Sequence, residues 1–363
     1  MQWSNEQDAA LGAIASWLKS PDRPIFRLFG YAGTGKTTLA RHIAESVDGT
    51  TVFAAYTGKA AHVMRSKGCA NAGTIHSLIY RMRGEDESGP TFVRNPDSAA
   101  RKAGLIIIDE CSMVDEVIGK DLLSFGTPVL VLGDPAQLPP VAGGGFFTDA
   151  GPDVMLTEVH RQAVDDPIVH LSMIVREGGQ LVYGTYGASA VIARDDVDPD
   201  TVVNADQVLV GRNATRQSYN ARVRQLLGRQ IPQPQKGDVL VCLRNDRKRG
   251  LLNGSLWQVE RVRAPRKGLL RYALLPEDGA GRKGLVATIN PAYFDGTVDA
   301  LSTAARRRSD AFDFGYVLTV HKAQGSQWDD VVLFDESFAF RENAARWLYT
   351  GITRAAQRII IVR

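Results

Sequence analysis

Short runs of Ile, Val and Leu recur along the chain with helical segments between them. Ile25-Phe26-Arg27-Leu28-Phe29, Val52-Phe53-Ala54-Ala55, Leu105-Ile106-Ile107-Ile108 and Val129-Leu130-Val131-Leu132 occupy the first half. Val208-Leu209-Val210, Val331-Val332-Leu333-Phe334 and Ile359-Ile360-Ile361-Val362 occupy the second. Apolar runs without polar alternation belong to strands covered on both faces, which means parallel sheets in an α/β protein. Two such sets predict two α/β domains.

Two stretches break the pattern, turn-rich and polar where their flanks are apolar. Between 81 and 102, Gly84, Gly89-Pro90 and Asn95-Pro96 surround the β-prone Thr91-Phe92-Val93, predicting a small hairpin insertion. Between 232 and 310, the segments Gly237 to Cys242, Asn253 to Val259 and Leu269 to Leu275 have the spacing of a small β-barrel.

The 363 residues allow two or three domains, and 44% hydrophobic content is enough to give each a core. A formal charge of +3 does not argue for nucleic acid by itself. Local clusters such as Arg244 to Arg249 and Arg306-Arg307-Arg308 read first as solvated loops. Cys69, Cys111 and Cys242 are far apart and lack C-x-x-C spacing or a nearby histidine pair, so neither a zinc site nor a disulfide framework is expected. A reducing cytoplasm is the expected setting. No signal-peptide layout and no membrane-length apolar run is present, so no membrane partner is expected.

Chemistry enters at Gly30-Tyr31-Ala32-Gly33-Thr34-Gly35-Lys36-Thr37, which fits G-x-x-x-x-G-K-[ST] between a predicted strand and a helix with Leu39 and Ile43 four apart. Such a loop wraps phosphates with backbone N–H groups from Gly33 to Thr38. Lys36 adds a point charge on the β/γ-phosphates, Thr37 offers a hydroxyl to Mg²⁺, and the helix N-terminus favours an anion. The expected cofactors are ATP and Mg²⁺. The apolar run ending in Asp109-Glu110 supplies two acids at a neighbouring strand tip. Asp109 suits the metal, and Glu110 suits orienting and deprotonating an attacking water.

Gln137, in Gly133-Asp134-Pro135-Ala136-Gln137-Leu138-Pro139-Pro140, is either a neutral sensor of the γ-phosphate or a bystander in a Pro-rich turn; residue chemistry leaves both open. Arg161 and Arg354 are candidates for charge on the transferring phosphate, and either one alone fits an ordinary salt bridge. If Arg354 crosses from the second domain, nucleotide binding closes a cleft and hydrolysis reopens it.

Thr57-Gly58-Lys59-Ala60-Ala61, Thr74-Ile75-His76, Asp109-Glu110, Gly133 to Pro139, His160-Arg161-Gln162, Thr319-Val320-His321-Lys322-Ala323-Gln324-Gly325-Ser326 and Tyr349-Thr350-Gly351-Ile352-Thr353-Arg354-Ala355 stand in the order seen in superfamily 1 helicases. Together they resemble the superfamily 1B branch of RecD-like and phage Dda-like enzymes over nearly the whole chain.

The resemblance implies an ATP-hydrolysing DNA helicase, active in replication, repair or recombination, that moves 5′ to 3′ on single strands. It implies two RecA-like domains, 1–160 and 161–231 with 311–363, a pin hairpin at 81–102 and an SH3-like barrel at 232–310. Gln7 matches the glutamine that reads adenine, Gln137 the γ-phosphate sensor, and Arg161 and Arg354 the two γ-phosphate arginines. Gly325 belongs to the nucleotide site. Thr57, Lys59, His76, Thr319 and His321 lie in motifs that line the single-strand track. Phe92 is a stacking wedge on the pin or an anchor for the hairpin, and Trp257 is a barrel core residue. Tyr56 replaces the proline of many relatives.

The implied partners are single-stranded DNA and single/double-strand junctions, with replication or recombination proteins beside a monomeric motor. The chain ends at Arg363 straight after its last strand, which reads as a motor without terminal docking domains. An RNA-directed motor and a nucleotide-gated translocase or clamp that does not unwind are the competing readings, since backbone-tracking residues alone do not exclude a 2′-OH.

Overall fold

The computed structural model describes residues 3–19, 22–86, 89–139, 145–158, 166–229, 231–246, 249, 251–277 and 284–363. Two six-stranded sheets organise it. The first is wholly parallel, in the order Gly73–Thr74, Thr51–Ala55, Leu105–Asp109, Val129–Gly133, Ile25–Gly30, Val154–Leu156. Strand periodicity explains its coverage. Leu105 and Ile107 face a core shared with Ala10, Ile14 and Leu39 of the helices Asn5–Lys19 and Lys36–Ser46, while Ile106 and Ile108 face Ile75, Ile79 and Leu122 on the other side.

The second sheet runs Val317–Thr319, Gln207–Val210, Trp328–Phe334, Ala355–Val362, Ser189–Ile192, Gly184–Tyr186, parallel except for the last pair. Here too alternate residues split between two cores. Leu333, Ile359 and Ile361 pack with Trp347 of the helix Ala344–Ile352, and Val332, Ile360 and Val362 pack with Val223 of the helix Asn213–Leu226. Both halves therefore fold as the uninterrupted apolar runs predict.

The hairpin insertion pairs Tyr80–Asp86 with Gly89–Arg94. The rest of the predicted insertion is different: Ser98 caps a short helix, Ala99–Lys102, through a 3.0 Å bond from Ala100 N, and Ala100 is buried in the first domain's core. The second insertion is a five-stranded antiparallel sheet, in the order Leu285–Ile289, Leu269–Pro276, Leu256–Arg266, Val239–Cys242, Phe312–Phe314. It extends beyond the expected end at 310, because Leu240 and Cys242 pair with Phe314 and Phe312. Trp257 is buried in its core with Tyr272 and Phe312.

Buried Asp238 fastens this sheet to the second parallel one. It meets Arg224 at 3.2 Å and Arg229 at 3.7 Å, and accepts a 2.8 Å bond from the Tyr316 hydroxyl. No described helix is long and apolar enough to cross a membrane.

Candidate nucleotide cleft and nucleic-acid track

In open parallel sheets ligands bind at the carboxyl ends of the strands, and three adjacent strands of the first sheet end together here. Ile25–Gly30 runs into the phosphate loop, Leu105–Asp109 into the acids, and Val129–Gly133 into the Gln137 turn. Gly33 and Gly35 take positive φ of 80° and 78°, which side chains resist. The helix Lys36–Ser46 starts without a side-chain cap, leaving its first N–H groups for an anion. Lys36 Nζ donates to the carbonyls of Gly30 (2.7 Å) and Tyr31 (2.8 Å), and Thr34 Oγ1 also donates to Tyr31 O. Buried Gln7 braces the loop from behind, its Nε2 donating to Thr34 O at 3.1 Å.

Thr37 Oγ1 lies 3.2 Å from Asp109 Oδ2, so a hydroxyl and a carboxylate oxygen share one point. Glu110 sits in the left-handed region (φ 52°, ψ 45°), steadied by a 2.8 Å bond from its own N–H to Asp109 Oδ1. Backbone strain of that kind persists where the surroundings hold a functional side chain in position. Burial pushes the Glu110 carboxyl above its ordinary range, and Arg354 pulls it back.

Arg354 comes from the second sheet's side. Its Nη1 lies 3.9 Å from Glu110 Oε1, while Nε and Nη1 donate to the carbonyls of Thr350 and Ser326. With its amide oriented to suit these neighbours, Gln137 donates to Glu110 Oε2 at 3.2 Å and accepts from Arg354 Nη2 at 3.3 Å. The three side chains thus form one chain of contacts across the boundary. Gly325 closes the cleft from the same side; at φ 72°, a Cβ there would stand 3.0 Å from Ala60 Cβ and 3.1 Å from Thr57 Oγ1. The resulting cleft of about 380 Å³ is lined by Gly33, Gly35, Lys36, Thr37, Thr38, Asp109, Glu110, Gln137, Gly325 and Arg354 among others. Arg161, with His160 and Gln162, lies outside the described residues.

The residues expected along the nucleic-acid track are placed less uniformly. Thr57 and Thr319 each cap a helix, accepting from Ala60 N (3.1 Å) and Lys322 N (3.3 Å). Lys59 Nζ sits 3.9 Å above the Trp328 ring. His76 lies between Tyr80 and Phe92, at ring-centroid distances of 4.7 and 4.6 Å. Phe92 is 42% exposed and pairs across the hairpin with Met82, 52% exposed. His321 packs 5.4 Å from Phe340, and burial lowers its pKa.

Sequence reasoning missed a second set of contacts across the boundary. The Ala32 N–H donates to the Tyr349 hydroxyl (2.9 Å), Leu138 N donates to Thr350 Oγ1 (2.9 Å), and Gln324 Nε2 donates to Leu138 O (3.0 Å). All five residues lie inside the phosphate-loop and helicase-like motifs, but only tertiary structure shows which atoms meet.

A phosphate loop, a strand-tip acid pair and an arginine from a second parallel sheet define a two-domain P-loop nucleotide-binding protein. Residues 2–194 match the AAA domain model, and residues 314–362 match the UvrD-like helicase C-terminal domain. The chain belongs to the superfamily 1B helicases of the RecD and Dda type.

The ATP-dependent RecD2 DNA helicase of Deinococcus radiodurans is 27% identical over 98% of this chain and 48% of its own length. The Dda helicase of phage T4 is 33% identical over 41% of this chain and 37% of its own. This chain therefore spans about half or less of these two relatives. Two solved structures share its fold. A Pif1 helicase at forked double-stranded DNA has a TM-score of 0.59 with 19% identity, and Bacteroides Pif1 bound to single-stranded DNA has 0.57 with 18%; each match covers 99% of this chain and 92% of the other.

Proposed function

We propose that this chain is an ATP-dependent DNA helicase that moves 5′ to 3′ on single strands and couples Mg-ATP hydrolysis to strand separation. The observation that carries this reading is the contact chain Glu110, Gln137, Arg354, in which a base, a sensor and a cation from two sheets meet beside the phosphate loop. Oxygen ligands suit Mg²⁺, and the adjacent Thr37 hydroxyl and Asp109 carboxylate fit that requirement. When bound, the ion would neutralise charge on the β- and γ-phosphates.

The chain's own groups do the rest. Lys36 leaves the loop carbonyls for phosphate oxygens. Glu110 takes a proton from water as the water oxygen bonds to the γ-phosphorus, and the bond from that phosphorus to the bridging oxygen breaks, releasing ADP and phosphate. Arg354 and Arg161 offset the charge of the transferring group, and Gln7 reads the base. Because Arg354 and Gly325 belong to the opposite side, occupancy of the cleft is coupled to the approach of the two domains.

In this reading the first RecA-like domain is 1–160, the second is 161–231 with the segment after Phe314, and the intervening antiparallel sheet is an SH3-like barrel. Thr57, Lys59, His76, Thr319 and His321 follow the strand's backbone, and Phe92 leads the pin. The test is ATP-driven opening of matched duplexes with a 5′ tail, a 3′ tail or no tail. Opening of the 5′-tailed duplex alone is expected; opening of the 3′-tailed one would reverse the direction. ATP hydrolysis without any opening would favour the translocase or clamp.

A further inference from the structure

In the long hairpin formed by Leu256–Arg266 and Leu269–Pro276, the first strand leaves the core after Val259, while the second keeps Tyr272 and Leu274 in it. Trp257 and Val259 are buried, whereas Glu260, Arg261, Val262 and the stretch from Ala264 to Gly268 are exposed. This outer half carries Arg261, Arg263, Arg266, Lys267 and Arg271 against one carboxylate, Glu260, in a chain whose formal net charge is only +3. None of the five cations forms an ion pair with a described residue.

Two features make the arrangement costly on its own. Arg263 stands directly opposite Arg271, and like charges facing across a pair of strands destabilise it. Arg263 Nε is buried without a hydrogen-bond partner among the described residues. Lys267 and Gly268 form the two-residue tip with φ of 51° and 76°, the left-handed pair that a hairpin turn of this length demands. Charge along an unpaired edge also guards against edge-to-edge association, but that duty does not require an opposed arginine pair.

We propose that this arm grips the phosphate backbone of duplex DNA, a role that rests on the helicase reading and extends it to the DNA ahead of the motor. Anionic oxygens between Arg263 and Arg271 would turn their repulsion into shared attraction. Single-strand sites combine cations with exposed aromatic rings for base stacking. This arm's one aromatic, Tyr272, is buried, so its chemistry is confined to phosphates. At the base of the arm, the Leu252 side chain comes within 2.5 Å of where a Cβ on Gly58 would lie. That contact ties the arm to the helix carrying Lys59, beside the proposed single-strand path.

The experiment measures binding of a blunt duplex, without nucleotide, across a salt series. The wild-type protein is compared with the combined variant Arg263→Gln, Arg266→Gln, Lys267→Gln and with its charge-retaining counterpart Arg263→Lys, Arg266→Lys, Lys267→Arg. Neutralisation is expected to reduce the slope of log K against log salt by about 2.7, at roughly 0.9 for each phosphate no longer neutralised. The charge-retaining variant should keep the wild-type slope, and ATP turnover stimulated by single strands should stay within about twofold of wild type.

An unchanged slope in the neutralised variant overturns the proposal. An equal loss on a single-stranded oligonucleotide, or tighter binding of an RNA duplex than of DNA, overturns the assignment to duplex DNA. Wild-type protein that shows the slope difference yet never hydrolyses ATP would overturn the helicase reading and leave duplex binding standing.

Discussion

The Tyr349 hydroxyl donates to Asp134 Oδ2 at 2.7 Å, across the boundary between the two parallel sheets, while accepting from the Ala32 N–H of the phosphate loop at 2.9 Å. Burial keeps this phenol well above its ordinary pKa, which favours the neutral, donating hydroxyl. Asp134 opens the turn that carries Gln137, and Tyr349 is five residues before Arg354. One side chain therefore ties the loop, the Gln137 turn and the segment carrying Arg354 together.

Tyr349→Phe retains the ring and removes both bonds. Leaving buried partners unsatisfied costs about 1–3 kcal/mol each. We expect ATP turnover to fall by about tenfold, the equivalent of 1.4 kcal/mol of lost positioning, with a smaller change in ATP affinity. Steady-state kinetics with direct nucleotide binding separates the two quantities.

In the proposed hydrolysis, Glu110 would set the pH dependence. A general base works when deprotonated, and burial pushes this carboxyl upward, so the acid limb of turnover should lie above that of an ordinary carboxylate. Arg354 holds the group down, and Arg354→Gln is therefore expected to move the limb to still higher pH. The same variant should lose about 10³-fold or more in rate. A pH–rate profile of both proteins checks the sign, and an Arg354→Gln limb at lower pH would contradict it.

Gly325→Ala places a methyl group against Ala60 and Thr57 at a residue with φ 72°. The conformation alone costs about 1–2 kcal/mol, and the added atom holds the two sides of the cleft apart. Nucleotide-dependent closure, followed by fluorescence transfer between labels on the two domains, should diminish more than nucleotide binding does.

Phe92→Ala removes the exposed ring at the hairpin and its edge contact with His76. If the ring is the wedge, strand separation per ATP hydrolysed drops severalfold while DNA-stimulated hydrolysis persists. Parallel unwinding and phosphate-release assays on one forked substrate give the ratio, and an unaltered ratio returns Phe92 to the role of hairpin anchor.

Much of the fold was legible because fully covered strands need unbroken apolar runs; Leu105 to Ile108 could serve no other element so well. Lys36, Thr37, Asp109 and Glu110 were legible for a related reason, since phosphate loops and strand-tip acids are local features at fixed spacing. Tyr349 and Asp134 were not, because a bond between residues 215 positions apart leaves no periodic trace. Thr57 and Thr319 show another limit: a threonine beside a helix start reads equally as a phosphate ligand and as a cap, and here both hydroxyls cap. The last strand of the second insertion, Phe312–Phe314, was misplaced because its burial depends on Leu240 and Cys242 as neighbours rather than on its own pattern.

That strand is followed after only Gly315 and Tyr316 by Val317–Thr319 of the second parallel sheet, and Tyr316 is itself bonded to Asp238. A joint this short, bolted by a buried ion pair, couples the antiparallel sheet to the second domain, while the Leu252–Gly58 contact gives the same sheet a footing on the first, so in the proposed cycle a rearrangement at the nucleotide cleft would be transmitted toward the Lys267 tip.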